Sequence, residues 1–139
     1  MFVTAAARPA SAYKSVGVET GVDRASPHDL VSMLFDGLLL ALASARGALM
    51  RGDIKAKGQQ IGVAVRILEE GLAGALNLSE GGALATNLQA LYGYCVVRLT
   101  QANARNDEGA LREVTRLIEP VASSWKQIGP ADIAALQAA

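Results

Sequence analysis

An all-α fold, an antiparallel up-and-down four-helix bundle, is predicted by three features of this 139-residue sequence. Apolar residues recur at steps of three and four along four long segments. Short joints rich in Gly, Asp and Ser separate those segments, and no stretch sustains the alternation of a strand. A chain of this length fits one domain with a sizeable core.

Residues 1–24 carry Pro9, Gly17 and Gly21 and no sustained period, so they are expected to form a mobile or loosely docked N-terminal arm. The bundle is expected over 25–129. In Ser26-Pro27-His28-Asp29, Ser26 suits an N-cap, Pro27 the first helical position, and Asp29 the positive helix end. Helix one then runs over about 27–51, with Leu30, Leu34, Leu38, Ala41, Ala45 and Ala48 as its stripe and Gly52 placed for a left-handed cap.

Asp53 can cap helix two, about 53–78, whose stripe is Ile54, Ile61, Val65, Leu68, Leu72 and Leu76. Ser79-Glu80-Gly81-Gly82 reads as a turn. Helix three, about 82–106, carries Leu84, Leu88, Leu91, Cys95, Leu99 and Ala102 on one face. Asp107 caps helix four, about 108–128, striped by Leu111, Val114, Ile118, Val121 and Trp125; Gly129-Pro130 stops it and 130–139 is a tail. Pro120 removes a backbone hydrogen bond inside helix four and is expected to kink or break it.

Composition excludes several classes. Lys plus Arg and Asp plus Glu are both 13, so there is no surplus charge for nucleic acid or an anionic membrane surface. The uncharged run from Gly81 to Val97 is too short and too polar to span a bilayer, so no membrane insertion is expected. Nothing in residues 1–12 resembles a signal peptide, and one cysteine permits no internal disulfide; both point to the cytoplasm.

Catalytic constellations are missing from the pattern. The sole histidine, His28, falls in a first helical turn, where a solvated ring is expected. Cys95 lies on an apolar face as a small core residue, and one His with one Cys offers no metal site. Glu69-Glu70 and Asp107-Glu108 diverge by about 100° around their helices and cannot share a proton. Gly71, Gly74, Gly81 and Gly82 lack the strand and Gly-Lys-Ser/Thr of a phosphate loop. A non-enzyme without cofactor is the expectation.

What stands out is apolarity: 51% of residues are hydrophobic and 19% charged. Gly37 to Ala45 carries no charge, and from Gly71 to Val97 the only charge is Glu80. A surface helix normally shows water a polar side, so a bare one is expected to be covered by a partner. Ala41, Ala43 and Ala73 could face solvent harmlessly, but Leu39, Leu40, Leu42, Tyr92 and Val96 extend the stripes further round. Glycines at 37, 47, 58, 62, 71, 74 and 93 forgo roughly 6 to 7 kcal/mol of helix propensity. Either close packing or a partner must offset that.

Four segments carry a family likeness: Ala25-Ser26-Pro27-His28-Asp29-Leu30, Met33-Leu34-Phe35-Asp36-Gly37, Asn87-Leu88-Gln89-Ala90-Leu91-Tyr92 and Gln101-Ala102-Asn103. Together with Tyr13 and the close from Ala122 through Trp125 to Lys126, they resemble the flagellin-specific export chaperone family, FliS, with departures at Arg24 and Gly93. The resemblance implies a cytoplasmic chaperone that binds the C-terminal helical segment of flagellin, blocks premature polymerisation and presents it to the flagellar type III export gate. It implies an apolar groove, for which Met33, Leu34, Leu68, Leu72, Leu76, Leu88, Leu91, Tyr92 and Leu99 are the candidates here. Tyr13 and its arm are implied to cover the empty groove and to contact an export gate component. Ser26, Pro27, Asn103 and Trp125 are expected to be structural, and the chain a monomer or weak homodimer. The alternative is a self-associating regulatory bundle without a flagellin client.

Overall fold

In the computed structural model, which describes residues 26–128, the chain forms four helices joined by short turns. We number them α1 (Pro27–Met50), α2 (Ile54–Arg66, continued by a π-helical segment Ile67–Ala73), α3 (Gly82–Arg105) and α4 (Glu108–Gln127). There is no strand among the described residues. α1 packs between α2 and α4, and α3 closes the ring against the same two. The start of α1 meets the end of α4 through His28 and Trp125, and its end meets the start of α4 through Arg46 and Glu108, so the two run in opposite directions.

The helix starts follow from their caps. Ser26 Oγ accepts from the Asp29 N–H at 3.1 Å while Asp29 accepts from the Ser26 N–H at 3.3 Å, a reciprocal box completed by Pro27 at the first helical position. Asp53 and Asp107 each accept from the N–H three residues on, at 3.1 and 3.2 Å. Gly52, at φ +76°, turns the chain between α1 and α2, and Asn106, at φ +52°, does so between α3 and α4. α4 continues unbroken through Pro120. The proline lies on an exposed face, where water can serve the carbonyl it leaves without a donor.

By length and composition α1 could cross a membrane; in the fold it is the core helix. Leu38, Leu42 and Ala45 are fully buried there against Leu68, Cys95, Leu99, Leu111, Val114 and Ile118. Ala41 is buried too, so of the three alanines thought able to face solvent only Ala43 is exposed. Ala41, Ala45 and Ala48 are all buried, and Gly71 of helix two lies directly against the Leu34 side chain. A Cβ on Gly71 would lie 2.9 Å from Leu34 Cδ2. Helix two ends at Ala73, earlier than its stripe suggested, and Leu76 continues the apolar face from non-helical chain.

One charge enters the interior. Lys57, 3% exposed, donates through Nζ to the Asn103 backbone carbonyl at 2.9 Å and to Asn103 Oδ1 at 2.7 Å. It thus bonds a carbonyl left open by the last turn of α3, where the helix dipole favours a cation. Asn103→Ala leaves this buried ammonium one acceptor short and is expected to cost about 1–3 kcal/mol in denaturant unfolding.

The glycines divide by what surrounds them. Gly62 and Gly93 lie within helices with open space around a would-be Cβ, whereas Gly71 does not. Gly62→Ala and Gly93→Ala are each expected to raise stability by about 1 kcal/mol. Gly71→Ala is expected to lower it by about 1 kcal/mol, because displacing Leu34 outweighs the gain in propensity. Urea titrations of the three variants check both signs.

Candidate functional site

At the end of the bundle where the chain passes from α2 to α3, the four walls do not meet. They leave an apolar cavity of about 310 Å³. Val31 and Phe35 of α1, Leu72 and Leu76 at the end of helix two, Leu84, Leu88 and Tyr92 of α3, and Val121 and Trp125 of α4 line it, with Ile128 at the edge. Along α1, α3 and α4 the large apolar contributors are four residues apart, so each of these walls is built on one stripe of side chains facing inward.

Two hydrogen-bonded assemblies hold these walls. His28 Nε2 donates to the Trp125 carbonyl at 2.8 Å, and Trp125 Nε1 donates to the His28 carbonyl at 3.1 Å. Their rings stack with centroids 5.0 Å apart, inclined by 15°. Because a carbonyl can only accept, the Nε2 tautomer is the one this contact selects. The expected solvated ring is instead a half-buried clasp, with 13% of the side chain exposed; Trp125 nearly a hundred residues away gave no local signal for it. Lys126 reinforces the seam by pairing with Asp36.

The second assembly shapes the connection from helix two to α3. Asn77 Oδ1 accepts from Ser79 Oγ at 3.0 Å and from the Glu80 N–H at 3.1 Å, while its Nδ2 donates to Glu80 Oε2 at 2.8 Å. Its carbonyl accepts from the Gly81 N–H at 2.7 Å, and Gly82, at φ +58°, starts α3 from a conformation that other residues rarely adopt. This braced turn carries Leu76 to one side of the cavity and Leu84, 52% exposed, to its mouth.

Of the groove candidates, the structure brings Leu72, Leu76, Leu88 and Tyr92 together on this cavity. Leu34, Leu68 and Leu99 are buried in the core cluster beneath. Leu91 is half-buried against the core, and Met33, 37% exposed, sits on the outer face of α1. Tyr13 lies outside the described residues. Val31, Phe35, Leu84, Val121 and Ile128 were not singled out from the sequence as lining residues. The periodicity places Leu84 and Val121 on stripes and leaves Val31, Phe35 and Ile128 off them, and nothing local says which end of a stripe stays uncovered.

The site is chemically quiet. No group of three or more His, Cys, Asp or Glu able to hold a metal exists among the described residues. Burial pushes the Tyr92 phenol up to about 12 and the Cys95 thiol up to about 11, each nudged further by a neighbouring acidic group. Both stay neutral across the physiological range, and Cys95 is neither exposed nor a thiolate.

These shifts predict an alkaline limit. A buried acid keeps its proton to higher pH in the folded state than in the unfolded chain, so the unfolded chain ionises first and gains stability relative to the native bundle. The contribution of these two groups is expected to be constant below pH 9.0, to decline as pH rises from 9.0 to about 11 as Cys95 titrates, and to fall further from 10.0 to about 12 as Tyr92 does. Denaturant midpoints across this range, compared with Cys95→Ala, isolate the earlier part of the decline.

Comparison with known proteins gives a consistent family. A family model described as Flagellar protein FliS matches residues 9–132. The chain is similar to the flagellar secretion chaperone FliS of Salmonella typhimurium strain LT2, 49% identical over 86% of this chain and 88% of that one. It is 43% identical to the Escherichia coli K12 chaperone over 88% and 90% of the two chains, and 33% identical to that of Bacillus subtilis strain 168 over 86% and 84%. These relatives are chaperones, not enzymes, and the chain belongs to the FliS family of flagellar secretion chaperones.

Proposed function

We propose that this chaperone acts in the cytoplasm on flagellin, seating the C-terminal helical segment of that client on its apolar cavity. The observation that carries this reading is an uncharged cavity walled by all four helices, open enough to leave Leu84 half in water. An amphipathic helix is the natural occupant, because apolar side chains at every third or fourth position would fit a slot whose own walls repeat every fourth residue. Leu72, Leu76, Leu88 and Tyr92 then touch the client directly. Met33 and Leu91 extend the contact along the surface, and Leu34, Leu68 and Leu99 support it from beneath. Masking this segment keeps flagellin subunits from polymerising before export. The loaded complex, with the arm around Tyr13 contributing, is then presented to the flagellar type III export gate.

Burial of the client's apolar face drives binding at roughly 25 cal/mol per Å² of apolar area, less the cost of ordering a segment that is disordered when free. A synthetic peptide of the flagellin C-terminal segment is therefore expected to gain helicity by circular dichroism on mixing. Leu88→Glu, which puts a charge in the cavity wall, is expected to weaken its binding by about 2 kcal/mol or more, roughly thirtyfold in Kd by calorimetry. A spectrum equal to the sum of the parts, with no binding heat, removes the proposal.

A further inference from the structure

The end of the bundle away from the cavity is closed by the turn from α1 to α2, where Arg51, Gly52 and Asp53 reverse the chain. Phe35 lines the cavity and Met50 ends the same helix, so the rise of an α-helix sets the two about 22 Å apart. Two large apolar side chains project from this turn: Met50 is 76% exposed and Ile54 48%. The Lys57 bonds to Asn103 bring the last turn of α3 alongside. Arg51, Lys55 and Arg105, all exposed, therefore belong to one tip.

Charges at this tip differ in whether they are already engaged. Asp53 and Asp107 are taken up as the caps of α2 and α4, and Glu108 is shared between Arg46 and Arg112. The side chains of Arg51, Lys55 and Arg105 form no ion pair among the described residues. Cations at the ends of α1 and α3 suit the helix dipoles there. Lys55 does not: it occupies the first turn of α2, where the dipole is positive and helix stability favours a carboxylate. An apolar point set among free cations has the layering of a lipid interface, where acyl chains lie beneath anionic phosphates. A protein partner would need an acid-rimmed pocket shaped to a protruding turn, whereas a bilayer need only part around it.

We propose that this tip docks the chain on an anionic phospholipid surface. Met50 and Ile54 enter between the headgroups, and Arg51, Lys55 and Arg105 meet the phosphates. The neutrality of the whole chain does not oppose this. A surface potential falls off within a Debye length, about 8 Å at physiological ionic strength, so charges at the cavity end, about 22 Å away, stand beyond its reach. Two apolar side chains and three cations make the docking weak and reversible, since even one myristoyl chain binds a membrane only marginally. The bundle then stands on end, with its cavity turned away from the lipid and accessible while the tip is docked.

Co-sedimentation of the full chain with vesicles of phosphatidylglycerol and phosphatidylcholine, beside vesicles of phosphatidylcholine alone, tests the inference. Binding to the anionic vesicles only is expected, and its loss at about 1 M salt. Met50→Ser is expected to weaken it about tenfold. Lys55→Glu is expected to weaken it about tenfold or more while the melting temperature does not fall, because a carboxylate suits that helix start. Orientation is read from tryptophan emission: that of Trp125, the sole tryptophan, lines the cavity and is expected not to move, whereas Met50→Trp gains a component that shifts to the blue on docking. No binding to anionic vesicles, binding that both Met50→Ser and Lys55→Glu leave intact, or a Trp125 shift in the unaltered chain overturns the proposal. Binding to poly-glutamate that depends on Lys55, with none to vesicles, makes the partner an acidic polypeptide and overturns it too. Only one arm rests on the function proposed above: a chain carrying the flagellin peptide is expected to bind the vesicles as the empty chain does. Vesicle binding that persists when the peptide shows no affinity would remove the client reading and leave this one standing.

Discussion

The seam between α1 and α4 is what closes the bundle. Consecutive helices are held together by the turns between them, but the first and last have no such tether and must find one another across nearly the whole described chain. Three contacts do this along their length: the His28–Trp125 clasp, the Asp36–Lys126 pair and the Arg46–Glu108 pair, the last shared with Arg112 one turn further on. Exposed ion pairs contribute little each, about 0–1 kcal/mol. The clasp is different in kind. It pairs two ring nitrogens with two backbone carbonyls, one in the first turn of α1 and one in the last turn of α4, and covers them with stacked rings.

With the seam fixed, the cavity follows from a shortage of helix. Helix two passes into a π-helical segment at Ile67 and stops at Ala73, while α1, α3 and α4 extend alongside the cavity. The wider π turns put Leu72 on the interior and let Gly71 approach Leu34, but leave no side chain to fill the corner beyond. Leu76 and Leu84 reach across from the Asn77-braced turn without covering it. A family whose members work as secretion chaperones thus owes its open apolar surface in this chain to an early helix end, with the stripes themselves mostly consumed by the core.

That distinction explains how far the sequence could be read. The four helices were legible because burial and periodicity coincide: Leu38, Cys95, Leu99, Leu111 and Ile118 are stripe residues and core residues alike. Caps at Ser26, Asp53 and Asp107 were legible because they are local hydrogen-bond chemistry. The cavity was legible only in part. Leu72, Leu88 and Leu99 occupy equivalent positions on their stripes, yet two line the opening and the third is sealed, a difference set by where neighbouring helices stop. Nor does any pattern mark Lys57 as buried or His28 as stacked, since each depends on one partner from a distant helix.

Order of assembly is a consequence of the clasp. During synthesis the N-terminal part of the chain is available for seconds before its later part, and domains of this size complete their contacts only when the segments that close them have emerged. Val121 and Trp125 supply a whole wall of the cavity and one side of the clasp. A nascent chain that has released α1, α2 and α3 therefore has three walls and a histidine without its tryptophan. The closing contact spans 97 residues, a long loop whose entropic cost falls late in folding. A complete cavity is thus tied to the emergence of α4, and a ribosome-bound fragment that ends before it has an apolar site with one wall missing.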